Sequence, residues 1–328
     1  EHLKKNQLQV HQLKTLVLDE ADRMLDEGFP DEMTAIIDEL PGKKQTIFFS
    51  ATFPESIEAL SRKYQKNAER VTIDKAVQAS PQIQQYIYDA ESPQKIDTLI
   101  KILQRHPSAC TLVFCRMKVT VDEIGQKLES MKVSSQVLHG DLTQPERDRA
   151  IALFRNGSAR ILVATDVAAR GLDIDMLELV INVDLPVSPE VYIHRIGRTG
   201  RAGRQGTAVS IATAFEELKV GEIEKATGVK MIRQKLGFEN QHGLSAEFQK
   251  TATKTIQIAG GKLDKLRPGD ILGALTAQPG ALAATDIGKI EIQERFSLVA
   301  ITTPLAEKAL AKLRGSKIKG KKFKSYII

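Results

Sequence analysis

Three carboxylates stand within four residues at Asp19-Glu20-Ala21-Asp22, directly after the apolar run Leu16-Val17-Leu18. In open α/β sheets, ligands gather outside the carboxyl ends of strands. An acidic side chain there can hold the Mg²⁺ of a nucleotide, directly or through water, and a neighbouring carboxylate can orient or deprotonate an attacking water. Ser50-Ala51-Thr52 follows the next apolar run, so its hydroxyls can reach the acidic loop. Later, Thr165-Asp166-Val167-Ala168-Ala169-Arg170-Gly171-Leu172-Asp173 follows another apolar run. His194-Arg195-Ile196-Gly197-Arg198-Thr199-Gly200-Arg201 then sets three Arg at spacing three on a Gly-interrupted segment. Glycine permits close backbone approach, and guanidinium groups stabilise charge on a transferring phosphoryl group. Taken singly, the acidic tetrapeptide could also be a surface turn or cap, and the Arg stretch a solvated helix.

These groups need elements to position them. Thr15-Leu16-Val17-Leu18, Thr46-Ile47-Phe48-Phe49, Thr111-Leu112-Val113-Phe114, Ile161-Leu162-Val163 and Leu179-Val180-Ile181 read as buried strands. Between them Val121, Ile124, Leu128 and Met131 recur at helical spacing, as do Ile151 and Phe154 before a stop at Gly157. Alternating strands and helices predict parallel sheets covered on both faces. A first α/β segment ends near 74–81, and the chain turns polar near 237–251. A βαββαβ pattern follows, with strands over 254–259, 286–293, 297–302 and 323–328 and helices over 268–277 and 305–313.

At 328 residues with 42% hydrophobic content, two or three domains are expected, and no apolar run approaches the ~18 residues of a membrane span. The two cysteines, Cys110 and Cys115, lack a second ligand pair for zinc and read as buried thiols of a reducing cytosol. Residues 253–328 carry 11 Lys and 3 Arg against 6 Asp and Glu, so the net +6 of the chain comes from this segment. A solubilising surface would also explain that surplus, but a polyanionic partner fits it.

The four chemistry-bearing blocks, in this order, resemble superfamily-two helicases of the DEAD-box family. Val113-Phe114-Cys115, His139-Gly140-Asp141 and Gln144-Pro145-Glu146-Arg147 match as well, over residues 14 to about 235; Met117 departs, standing where many members have a hydroxyl residue. The resemblance implies ATP and Mg²⁺ as cofactors, with Asp19 on the metal (through water or directly) and Glu20 as general base. It implies that Asp22, Ser50, Thr52 and His194 couple the nucleotide site to RNA, and that Gly171 and Asp173 contact ATP. Arg198 and Arg201 would be arginine fingers, and Gly140, Gln144, Arg147 and Thr165 would meet the RNA backbone.

A phosphate-cradling loop, G-x-x-x-x-G-K-[ST], is also needed. The one stretch of that spacing, Gly315 to Lys321, is followed by Lys322 and lies between a helix and a strand, the reverse of the required order. The chain is therefore expected to start inside its first RecA-like domain and, alone, to hydrolyse ATP negligibly. In the tail, Gly260-Gly261-Lys262, Arg267-Pro268-Gly269-Asp270-Ile271-Leu272-Gly273-Ala274-Leu275 and Lys317-Ile318-Lys319-Gly320-Lys321 resemble the C-terminal domain of the bacterial DbpA subfamily. That implies binding of a large-subunit ribosomal RNA hairpin and a role in ribosome assembly. Its strands are poor in the aromatics on which RNA-recognition modules stack bases, whereas Lys262, Lys265, Arg267, Lys317, Lys319, Lys321 and Lys322 suit phosphate contacts.

The expected fold is α/β: two RecA-like parallel-sheet domains, the first truncated, then an α+β RRM-like domain. The expected bounds are 1–76, 77–237, a linker over 238–252, and 253–328. The expected function is that of a cytoplasmic, monomeric ATP-dependent RNA helicase. Two other readings stay open: a non-catalytic RNA-binding or annealing protein, and a relative acting on DNA.

Overall fold

The computed structural model describes residues 2, 3, 5, 7–26, 30–50, 53, 55–72, 83–169, 174, 177–200, 205–236 and 250–328. Packing divides the chain into Glu1–Asp74 and Lys75–Ile328.

In the first unit β1 (Thr15–Leu18) pairs in parallel with β2 (Gln45–Phe48), Leu16 opposite Thr46 and Leu18 opposite Phe48. Helices α1 (Ala21–Asp26), α2 (Pro30–Asp38) and α3 (Glu55–Tyr64) bury Ala21, Met33, Ile37 and Ile57. The expectation that both strands are buried is corrected. Val17 is 50% and Phe49, just past β2, 56% exposed, because this sheet has two strands among the described residues. A parallel pair so short leaves one face uncovered.

The second unit holds two sheets. The larger has strands β3 (Ile83–Asp89), β4 (Thr111–Cys115), β5 (Ser135–Leu138), β6 (Ile161–Thr165), β7 (Leu179–Asn182), β8 (Gly206–Ala212) and β9 (Ile232–Gln234). All are parallel, in the order β5-β6-β4-β7-β8-β3-β9. Between them run α4 (Lys95–Arg105), α5 (Lys118–Ser130), α6 (Gln144–Arg155), α7 (Asp166–Ala169), α8 (Pro189–Ile196) and α9 (Glu217–Thr227). Alternation along the strands feeds two cores. Val113, Val163 and Ile181 pack on Leu99, Ile102, Val121 and Ile124. On the opposite face, Leu112, Phe114, Leu162 and Val180 meet Phe154 and Ala168. Burial on both faces is why β4, β6 and β7 read as unbroken apolar runs.

The smaller sheet is antiparallel. Strands β10 (Thr253–Ile258), β11 (Ile287–Ile292), β12 (Ser297–Thr302) and β13 (Ser325–Ile327) lie in the order β11-β12-β10-β13. One face packs Ile256, Ile258, Val299 and Ile301 on Ile271 and Leu275 of α10 (Pro268–Thr276) and Ala309 and Leu313 of α11 (Ala306–Gly315). Strand by strand this is the βαββαβ pattern of the sequence.

A seam of side-chain hydrogen bonds joins the two sheets. The turn after α6, which Gly157 makes at φ 77°, offers Asn156 Nδ2 to Thr255 Oγ1 at 2.8 Å. Ser158 Oγ lies 2.8 Å from Thr255 Oγ1, and Thr253 Oγ1 donates to the Asn156 carbonyl at 2.7 Å. Thr255 is 0% exposed as a result. No helix among the described residues is long and apolar enough to cross a membrane.

Candidate functional site

The acidic loop begins where β1 ends. Asp19 is exposed, and its Oδ1 accepts the Glu20 N–H at 2.9 Å. Glu20 has φ 50°, the left-handed region that costs a non-glycine residue about 1–3 kcal/mol. Its neighbours fix it there: Ala21 N–H donates to the Phe49 carbonyl at 3.1 Å, and Met24 N–H to the Glu20 carbonyl at 3.2 Å. Asp22, 5% exposed, donates its N–H to Ser50 Oγ at 3.2 Å, so Ser50 does meet the acidic loop. An exposed carboxylate at a strand end is the oxygen donor that a hard cation such as Mg²⁺ takes.

In the seven-stranded sheet, adjacent strands β5 and β6 carry the next group at their carboxyl ends. Gly140 is exposed after β5, and a Cβ built on it meets nothing within 4 Å. Thr165 ends β6. Gln144 and Arg147 lie in the first turn of α6, whose start Glu146 secures by accepting the Thr143 N–H at 2.8 Å and O–H at 2.6 Å. Those bonds, side chain first, hold the Glu146 carboxyl below its ordinary range. Arg147 Nη2 donates to the Ala168 carbonyl at 3.4 Å, tying α6 to α7, the helix that follows Thr165. Gln144 Nε2 is engaged by Asp148 Oδ1 at 2.7 Å.

Ser188 caps α8, whose last turn holds His194 and Arg195. Arg195 is a residue whose role the sequence left unassigned. It is 3% exposed, and its Nε and Nη2 grip Asp166 at 2.6 and 2.7 Å. Nη1 reaches Asn182 Oδ1 at 2.9 Å and the Asp184 carbonyl at 2.7 Å, and the guanidinium lies 4.9 Å from the Phe114 ring centre. One buried side chain thus ties together the ends of β4, β6 and β7. Asp184 also accepts the Arg116 N–H at 3.0 Å and pairs with Lys95 at 3.1 Å, which bridges to Glu216 at 3.3 Å. The spacing of three Arg pointed to the segment, but not to which of them is buried. Arg198 follows in the turn after α8, half-buried. Thr52, Gly171, Asp173 and Arg201 lie outside the described residues, as does most of the expected linker.

The thiols are poor nucleophiles. Burial pushes Cys110 up to about 12 and raises buried Cys115 further.

The basic residues of the tail gather on two loops that hold each other. Ile318 and Lys321 exchange backbone bonds of 2.8 and 3.1 Å around Lys319 (φ 50°) and Gly320 (φ 77°), a tight hairpin turn unlike a phosphate-cradling loop. Lys319 Nζ donates to the Lys265 carbonyl at 2.6 Å and lies 3.2 Å from Asp270. Lys321 stands 3.8 Å from Asp264. Burial alone would raise the Asp270 carboxyl, but the Arg267 N–H and the Lys319 ammonium outweigh it and hold it low. Lys262, Lys265, Arg267, Lys317 and Lys322 are exposed around this junction.

Residues 1–60 match the DEAD/DEAH box helicase family, 94–203 the helicase conserved C-terminal domain, and 255–326 the DbpA RNA binding domain. The chain is 44% identical to the ATP-dependent RNA helicase DbpA of Escherichia coli K12, over 98% of this chain and 69% of that protein. It is 36% identical to the Bacillus subtilis protein of the same name, over 99% of this chain and 71% of that one. Saccharomyces cerevisiae Dbp5 bound to RNA and ADP BeF3 superposes with TM-score 0.65 at 33% identity, over 72% of this chain and 63% of that one. The chain thus spans about two thirds of the length of these relatives. From the acidic loop to the basic tail, the chain belongs to the DbpA group of DEAD-box ATP-dependent RNA helicases.

Proposed function

We propose that the chain serves an ATP-dependent helicase that remodels ribosomal RNA during large-subunit assembly, its C-terminal domain gripping an RNA hairpin. The observation that carries this is the composite basic face. Lys319 and Lys321 lock two loops together with Lys262, Lys265, Arg267, Lys317 and Lys322 exposed around them, a distribution suited to the phosphates of a folded RNA. The DbpA relatives are RNA helicases by name, and Dbp5 was solved with RNA.

ATP with Mg²⁺ supplies the phosphoanhydride whose hydrolysis resets the enzyme. Asp19 holds the metal, and Glu20, set apart by its left-handed backbone, takes the proton of the attacking water. Arg198 and Arg201 neutralise charge on the transferring group, and Gly171 and Asp173 position the nucleotide. Gly140, Gln144, Arg147 and Thr165 bind the RNA backbone, and Asp22, Ser50, Thr52 and His194 couple it to the nucleotide. Because these residues include no G-x-x-x-x-G-K-[ST] in strand–loop–helix order, this polypeptide by itself holds RNA and turns ATP over negligibly.

The test compares binding of a large-subunit ribosomal RNA hairpin, poly-U and duplex DNA by the 328-residue chain at one salt concentration. The hairpin should bind at least about tenfold more tightly than the others. Equal affinity for all three would sink the targeting. RNA-stimulated ATP hydrolysis by this polypeptide at an ordinary helicase rate would overturn the second half.

A further inference from the structure

Helix α6 ends on Asn156-Gly157, and Gly157 at φ 77° makes the left-handed turn that glycine takes past a helix end. That pairing has a structural reason, but it also carries a chemistry of its own. Asparagine is among the thermolabile residues. With glycine after it, no Cβ crowds the path between the next backbone nitrogen and the side-chain amide carbon. The Gly157 nitrogen can attack Asn156 Cγ: the N–Cγ bond forms, the Cγ–Nδ2 bond breaks, and ammonia leaves with the proton of the Gly157 N–H. The cyclic imide so formed takes up water at either carbonyl, giving aspartate or isoaspartate. Water is the one other reactant.

The fold holds the atoms of that step in place. Asn156 Oδ1 accepts the Ser158 N–H at 3.0 Å, which fixes the orientation of the amide, because only its oxygen can accept there. Nδ2 then donates to Thr255 Oγ1 at 2.8 Å. The Asn156 carbonyl, which shares a peptide plane with the Gly157 nitrogen, accepts the Thr253 hydroxyl at 2.7 Å. The Gly157 N–H itself donates to the Phe154 carbonyl at 3.2 Å. To react, the amide must turn until Cγ faces the nitrogen, and these four bonds oppose that turn. Two of them are made within the turn after α6, and two come from β10 of the antiparallel sheet. Ser158 and Thr255 beside them are 7% and 0% exposed, so water reaches the turn poorly.

We propose that Asn156-Gly157 is a hydrolytic modification site that the seam keeps closed. It deamidates when the two sheets part, and its product keeps them apart. Parting removes both β10 bonds at once and wets the turn. Aspartate then offers Thr255 an acceptor in place of a donor, and a carboxylate that is costly to bury. Isoaspartate threads the backbone through the former side chain and lengthens it by a methylene, so the turn no longer sets Ser158 against Thr255.

The test ages the 328-residue chain in mildly alkaline buffer and follows position 156 by mass spectrometry of its peptides, scoring the acid and its isoaspartate form. The folded parent should deamidate there at least about tenfold more slowly than the same chain unfolded in urea, as a site that must open first does. Thr255→Val keeps the branched shape, removes the acceptor of Asn156 and should speed deamidation of the folded chain about tenfold. Exposed Asn67, in the first unit, is the internal clock and should not change between variants. Thr253→Val removes a hydroxyl from a half-buried position at the start of β10 and should give about a threefold rise. It carries the test where Thr255→Val does not fold. Equal rates in the folded and unfolded parent, or variants no faster than the parent, would overturn the gating. An Asn156 amide unchanged in urea would overturn the site. In the deamidated fraction, separated by ion exchange, the seven-stranded and antiparallel sheets should melt in separate calorimetric transitions, where the parent melts them together. A shared transition there would overturn the claim that the product keeps the sheets apart.

Discussion

Arg195 lies 3% exposed beneath the strand ends of the seven-stranded sheet, with Lys95 9% exposed, whereas the antiparallel sheet and its helices bury none of their 11 Lys and 3 Arg. Both regions carry residues proposed above to meet RNA, yet they hold them by different physics. In the parallel sheet the loops carrying those residues leave neighbouring strand ends. A buried guanidinium with four hydrogen bonds fixes those ends at once. A buried charge is costly unless fully partnered, so the arrangement allows little variation in the loops it anchors. In the C-terminal domain the core is apolar, the loops close on each other through exposed lysines, and charge stays in water. The first design favours a defined geometry; the second favours a strong field at the surface.

Arg195→Ala strands Asp166 without its partner and should cost about 3–5 kcal/mol. Hydrogen exchange resolved by segment should show β6 and β7 losing protection while β10 and β12 keep theirs; equal losses would deny that the charge is local to the parallel sheet. Gly261→Ala should do the reverse. A Cβ there would sit 2.3 Å from the Gln293 carbonyl oxygen and 2.6 Å from that of Glu294, at a cost of about 1–3 kcal/mol confined to the antiparallel domain. Hydrogen exchange should show β10 and β12 losing protection while β6 and β7 keep theirs.

Ser158→Ala removes a hydroxyl from the seam and should cost about 1 kcal/mol. Its mark would be a calorimetric transition that splits in two, each sheet melting by itself. The smallest effect belongs to Glu146. Its carboxyl is held low in the folded chain, so its contribution is present above the unfolded value of about 4.3 and lost as pH falls through the folded one. Glu146→Gln should therefore lower stability slightly near neutrality, flatten the acid side of the profile and converge on the parent at low pH, where Glu146 is protonated.

Much of this was legible in the sequence. The unbroken apolar runs of β4, β6 and β7 announce strands covered on both faces, and the turn and helix signals of the tail set out its βαββαβ order. Strand β3 hides because Ile-Gln-Gln-Tyr-Ile-Tyr-Asp interrupts the pattern with glutamines, although Gln85 is 2% exposed and accepts the Tyr192 hydroxyl at 3.0 Å. The burial of Arg195 was illegible for a related reason: spacing reveals which residues recur, but not which one turns inward. The seam depends on Asn156, Ser158, Thr253 and Thr255, small polar residues that are ordinary in loops and strand ends. Only the folded chain brings residues about a hundred positions apart into contact there.

If this chain grips structured RNA through the basic face of its C-terminal domain, hairpin binding must depend steeply on salt. Each phosphate contact adds about 0.7–0.9 to the slope of log affinity against log salt. Lys321→Glu with Lys322→Glu should weaken hairpin binding and make that slope shallower by about 1.5, with the seven-stranded sheet still folded. An affinity and a slope both unchanged would show that the RNA is held elsewhere than on this basic face.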